Sequence, residues 1–122
     1  MKRERFEQLV AGAMQQLPPR FRQEISNLAI RVQDQPTPAQ LRDWGLAPDD
    51  ELLGIYVGIP LTERTTNYGL VMPDLIYLFQ DSIEAASVNE EEVRQAIQHT
   101  LFHEIAHYFG IDDDRLEEIG AY

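Results

Sequence analysis

His103-Glu104-Ile105-Ala106-His107-Tyr108-Phe109-Gly110-Ile111-Asp112-Asp113 is the stretch on which the reading of this chain turns. Residues four apart on an α-helix share a face, so the ring nitrogens of His103 and His107 can meet at one metal ion. Glu104 follows the first histidine, beside any water on that ion. Gly110 is the residue type that ends a helix in the left-handed conformation with little strain. Asp113 comes three residues later on a returning chain, where it can supply the third ligand that the same helix turn has no room for. A catalytic zinc ion commonly takes three protein ligands and keeps a position for water; His103, His107 and Asp113 are the candidates here, for one ion.

The helix around this motif is expected to run from Asn89 to about Phe109. Asn89 caps it, Glu92 is placed to complete a capping box, and Glu90, Glu91 and Glu92 oppose the positive end of the dipole. Its first turns are wet, with Arg94, Gln95 and Gln98 around Val93 and Ile97. Its last two turns are apolar nearly all round, and His103, Glu104 and His107 are the polar exceptions. Polar groups on so apolar a segment are costly to bury unless something satisfies them, and a divalent ion does. Asp112 and Asp114 are read as solvated or as partners of the ligands. His99 lies one turn before His103; a further ligand would fill the open position, so it is expected to face solvent or support the site indirectly.

Working outward, Phe6, Leu9, Val10, Ala13, Met14 and Leu17 recur at helical spacing until Pro18-Pro19 ends the run. Pro19 suits the first position of a short second helix that turns Phe21 and Ile25 inward. From Leu28 to Gln33 the period changes to two, with Ile30 and Val32 on one face and Arg31 and Gln33 on the other, as in a half-wet strand. Thr37-Pro38-Ala39-Gln40 predicts a capped helix start, and Gly45 its end after Trp44. Leu52 to Ile59 and Leu75 to Phe79 read as two further strands, apolar on both faces. The polar stretch from Pro60 to Asp74 between them reads as a loop, and Arg115 to Ile119 as a closing helical turn. Trp44, Tyr77 and Phe79 are expected in the core. Arg64, Tyr56, Tyr68, Tyr108 and Tyr122 are all candidates to steady a transition-state oxyanion, and nothing in the sequence chooses among them.

The 122 residues are expected to form one domain, 1–122, large enough for an ordinary core. There is no cysteine, so disulfides and thiolate metal sites are excluded and any metal must rest on His and carboxylates. The formal charge of −11, from 21 acidic against 10 basic residues, argues against sequence-independent nucleic-acid binding. No apolar run follows the basic residues of the N-terminus and no stretch is long enough to span a bilayer, so no membrane role is expected and the cytoplasm is the expected compartment.

The chemistry expected of such a site is amide-bond hydrolysis. Zinc lowers the pKa of a bound water to about 7 and polarises a carbonyl, and Glu104 is the candidate catalytic residue, a general base able to pass its proton to the leaving amine. His103, Glu104, His107, Gly110 and Asp113 fill every specified place of the pattern HExxHxxGxxD, which resembles the zincin superfamily of metallopeptidases and most closely a small bacterial group of minimal zincins. Chain length, the strand at Leu28 to Gln33 and the segment Asp113 to Gly120 carry the likeness over most of the chain. The resemblance implies an α+β fold, with a small, about three-stranded sheet packed against the motif helix and the N-terminal helices. It also implies Zn2+ on His103, His107 and Asp113, Glu104 as the catalytic carboxylate, and a peptide or unfolded protein as substrate. In larger zincins an extended substrate pairs with an exposed strand edge, for which Leu75 to Gln80 is the candidate here. Larger relatives sharing the glycine turn often carry a methionine-containing turn beneath the metal, but no methionine follows Met72, and only nine residues follow Asp113, little chain for a second wall. A shallow cleft is therefore expected, completed in one reading by a protein partner; the alternative function is a metal-binding module with weak or no catalysis.

Overall fold

Phe6, Leu9, Val10 and Ala13 form the buried stripe of α1 (Arg3–Gln15), and Leu17 extends it past the helix end. The computed structural model describes residues 1–25, 27–48, 51–58 and 74–111. The expected loop residues 60–73, the closing turn at Arg115 to Ile119 and Ile59 lie outside them. After α1 come α2 (Pro19–Glu24), β1 (Leu28–Gln33), α3 (Pro38–Asp43), β2 (Gly54–Val57), β3 (Asp74–Phe79), α4 (Gln80–Ala85) and α5 (Glu90–Tyr108). The architecture is α+β, with a three-stranded mixed sheet against helices, as expected.

The strand order is β1-β3-β2, with β1 parallel and β2 antiparallel to β3. β3 is central because it is apolar on both faces. Ile76 and Leu78 are fully buried in the cluster formed with α1, α4 and α5. On the opposite face, Trp44 packs on Tyr77 and Phe79 at centroid distances of 5.4 and 6.2 Å. Only Phe79 of these three is fully buried; Trp44 and Tyr77 are half-buried.

This order overturns one expectation. Leu75 to Gln80 cannot offer a free edge to a substrate, because β3 is hydrogen-bonded on both sides and Gln80 already opens α4. Among the described strands β2 is the one that borders the motif helix with an outer edge. It is also shorter than Leu52 to Ile59. Its last rung is Phe79 N–H donating to Leu53 O at 2.9 Å, after which the partner chain turns into α4 and away from Leu52. The α4 helix is absent from the sequence reading, although Ile83, four residues after Phe79, is fully buried.

Local signals place the helix ends. Thr37 Oγ1 accepts from Gln40 N at 3.1 Å while Gln40 Oε1 accepts from Thr37 N at 2.9 Å, completing the capping box of α3. Asn89 caps α5 by accepting from Glu92 N at 2.9 Å. The Glu92 carboxylate reaches one residue beyond the expected box and accepts from Val88 N at 3.1 Å. α5 then crosses the sheet, burying Val93, Ile97, Leu101 and Ile105 against α1 and β3. Its far end carries the motif to the margin of β2.

Candidate metal centre

At the end of α5 the chain turns as its glycine predicts. Gly110 has φ +85°, its N–H donates to His107 O at 2.9 Å, and Ile111 N–H donates to Ala106 O at 2.9 Å. This paired closure, with the left-handed residue just past the helix, satisfies carbonyls that would otherwise be orphaned. It also ends the helix within three residues of His107.

Helical spacing brings the chemistry together. The ring centroids of His103 and His107 are 4.6 Å apart, edge to face. One donor atom from each of His103, Glu104 and His107 lies within 4.8 Å of the others, a cluster tight enough to hold a metal ion. Glu104 Oε1 is 3.3 Å from His107 Nδ1, and Oε2 is 3.8 Å from His103 Nε2. Glu104 is buried while both histidines are half-buried, so the carboxylate forms the floor and the imidazoles the wall. Two imidazoles with a carboxylate, and no thiolate anywhere in the chain, suit zinc by donor chemistry. Asp113, the expected third ligand, lies outside the described residues.

His99 is exposed, with its ring 6.5 Å from that of His103. That is the peripheral place expected of it. Two of the five oxyanion candidates are occupied elsewhere. Tyr108 is fully buried against Tyr56 and Phe109. The Tyr56 hydroxyl donates to Asp74 Oδ2 at 2.7 Å. Arg64, Tyr68 and Tyr122 lie outside the described residues.

A cleft of about 290 Å3 opens over the cluster, lined by Leu53, Gly54, His99, Thr100, His103 and Glu104. Its two walls are β2 and α5. They approach closely because position 54 has no side chain: a Cβ there would lie 2.8 Å from Thr100 Cγ2 and 2.8 Å from Tyr77 O. On the other flank of His103 is an apolar hollow of about 270 Å3, walled by Leu17, Phe21, Phe102 and Phe109. A larger hollow of about 530 Å3 lies between α3, α4 and the start of β2, but it holds no histidine, so size does not locate the chemistry.

The feature that sequence reasoning missed is the link from Glu104 to the sheet. Tyr56 N–H donates to Glu104 Oε1 at 2.8 Å, across a separation of 48 residues. Its only trace in the sequence is the Gly54-x-Tyr56-x-Gly58 alternation, which puts Gly54 against Thr100 of α5 and Gly58 beside Asp74. Among the described residues no helix is long and apolar enough to cross a membrane.

None of the curated proteins matches the chain. A solved structure described as a conserved hypothetical protein from Thermo thermophilus is similar in fold, with a TM-score of 0.57 and 18% identity over 98% of this chain and 97% of that one. Residues 25–121 match the family model for zincin-like metallopeptidases, a span that includes the strands, the motif helix and the segment beyond Gly110. The chain belongs to the zincin-like metallopeptidase family.

Proposed function

We propose that this protein is a zinc-dependent peptidase in which His103, His107 and Asp113 hold one ion and Glu104 is the general base. The observation that carries the reading is the convergence of the His103, Glu104 and His107 donor atoms within 4.8 Å beneath an open cleft. A zinc ion bound there supplies Lewis acidity toward water and toward the scissile carbonyl. His103 and His107, four apart on α5, would hold the ion from one helix face. Glu104 takes the proton of the attacking water and returns it to the leaving amine. β2 borders the cleft at Leu53 and Gly54, and this end of the strand, rather than Tyr56 whose amide is held by Glu104, guides an extended peptide in place of Leu75 to Gln80. The substrate is a short or unfolded peptide, because a cleft of this size has little depth to enclose a folded one.

The test compares peptide cleavage by zinc-loaded wild type and Glu104→Ala across a broad peptide library, with zinc content measured in both and in Asp113→Ala. The reading expects cleavage by wild type alone and weakened zinc retention in Asp113→Ala. Equal cleavage by wild type and Glu104→Ala overturns it. Full zinc content with no cleavage by either protein, together with a stable complex recovered from lysate, would favour instead a metal-binding module that acts through a protein partner.

A further inference from the structure

Among the described residues, Asp74 is a buried carboxyl group that the proposed chemistry leaves unused. It is 2% exposed at the first position of the central strand. A carboxylate is costly to keep there without hydrogen-bonding partners. One partner is the Tyr56 hydroxyl, at 2.7 Å. Tyr56 in turn presents its backbone N–H to Glu104. The two ends of one residue therefore join a buried carboxylate to the candidate general base.

The register explains why this amide is available. Antiparallel pairs alternate between hydrogen-bonded and non-hydrogen-bonded. Leu53 and Phe79 are a bonded pair, so Ile55 and Val57 also turn their amides to β3, while Gly54 and Tyr56 turn theirs outward. Tyr56 sits where the outward amide meets Glu104. Its ring packs edge-on against fully buried Tyr108 at 6.1 Å, which fixes the strand against the end of α5. Gly58 completes the arrangement. A Cβ at that position would lie 2.6 Å from Asp74 Cγ and 2.9 Å from the Tyr56 hydroxyl, so the carboxylate reaches the tyrosine over a residue with no side chain.

We infer that Tyr56 and Asp74 are positioning residues for Glu104. The β2 amide pins Oε1, the hydroxyl's bond to Asp74 holds that amide in register, and Oε2 is the oxygen that exchanges the proton. Among the described residues Oε2 accepts no hydrogen bond; it lies 3.8 Å from His103 Nε2, while Oε1 is 3.3 Å from His107 Nδ1. Pinning one oxygen matters because a general base must meet its proton at hydrogen-bonding distance in a fixed direction. This inference rests on Glu104 acting as the base.

Two measurements test it, one of them independent of activity. In zinc-loaded protein, Tyr56→Phe is expected to lower kcat about tenfold, part of the ~10²–10⁴ that a general base contributes, while KM and zinc affinity stay within about twofold. Asp74→Asn keeps an acceptor oxygen for the hydroxyl and should retain most of kcat; Asp74→Leu should behave as Tyr56→Phe. Amide hydrogen exchange read by NMR is the second measurement. Exchange at position 56 should accelerate several-fold in both Glu104→Ala and Tyr56→Phe, while positions 55 and 57 stay protected. If wild type cleaves nothing, the exchange data still decide whether the link to Glu104 exists. Unchanged exchange at position 56 in both variants overturns the proposal. So does a Tyr56→Phe protein that loses thermal stability but keeps its kcat.

Discussion

Replacing Gly54 by alanine tests how closely β2 must lie against α5. The added Cβ would stand 2.8 Å from Thr100 Cγ2, 2.8 Å from Tyr77 O and 3.1 Å from Leu78 Cδ2. Carbon atoms prefer separations of about 3.5–4.0 Å, so the strand or the helix must give way. One obstacle is backbone, which does not rotate aside. Overpacking of this kind costs about 1–3 kcal/mol. Thr100→Ser removes Cγ2 and by itself should cost ~0.8 kcal/mol, the value of one buried methyl-sized group. Combined with Gly54→Ala it relieves one of the two closest contacts and leaves the Tyr77 carbonyl in place. The double variant should therefore be more stable than the sum of the single effects by at least ~0.5 kcal/mol, the lower end for coupled neighbours, yet remain below wild type. Urea unfolding with zinc removed, followed through the midpoint at constant m-value, reads these differences directly. A Gly54→Ala loss below about 0.5 kcal/mol, the range of an ordinary surface change, would refute the packing argument. Strict additivity of the two substitutions would refute the part assigned to Thr100.

Other expectations come from the same structure. Gly110→Ala forces a Cβ into φ +85° and should cost about 1–2 kcal/mol in urea unfolding, with Gly110→Asn less affected because asparagine tolerates that conformation. Phe6→Ala opens a hole under a fully buried ring and should cost ~3–5 kcal/mol by calorimetry, whereas Val88→Ala, at 85% exposure, should change stability by less than about 0.5 kcal/mol. The Arg94 hydrogen bond, followed by its charge, holds the Glu91 carboxyl below the usual carboxylate range. A lowered folded value makes the contribution present at neutral pH, above the unfolded value, and lost as pH falls through the folded one. Both side chains are exposed, so the check is an NMR titration: Arg94→Ala should raise the Glu91 midpoint toward its ordinary position, with stability hardly altered.

Much of this protein is legible in one dimension because the responsible forces are local. The periodicity of Phe6, Leu9, Val10 and Ala13, the Thr37 and Asn89 caps, and the glycines after α3 and α5 act within a few residues, and each works in the structure as read. The meeting of His103 and His107 follows from helical pitch alone. Strand order, by contrast, depends on which faces find cover. The resemblance to larger zincins makes Leu75 to Gln80 the candidate edge, but β1 and β2 pair with β3 along its two sides, so it is the centre of the sheet.

The motif by itself determined the donor types and their common helix face, because a helix repeats on a scale that a dozen residues can encode. Only the tertiary structure decided which strand borders the cleft and that a β2 amide meets Glu104. Those outcomes depend on register and on close approach between segments about fifty residues apart. Hydrophobic burial, which is non-directional, selects the neighbours, and hydrogen-bond geometry then fixes their alignment.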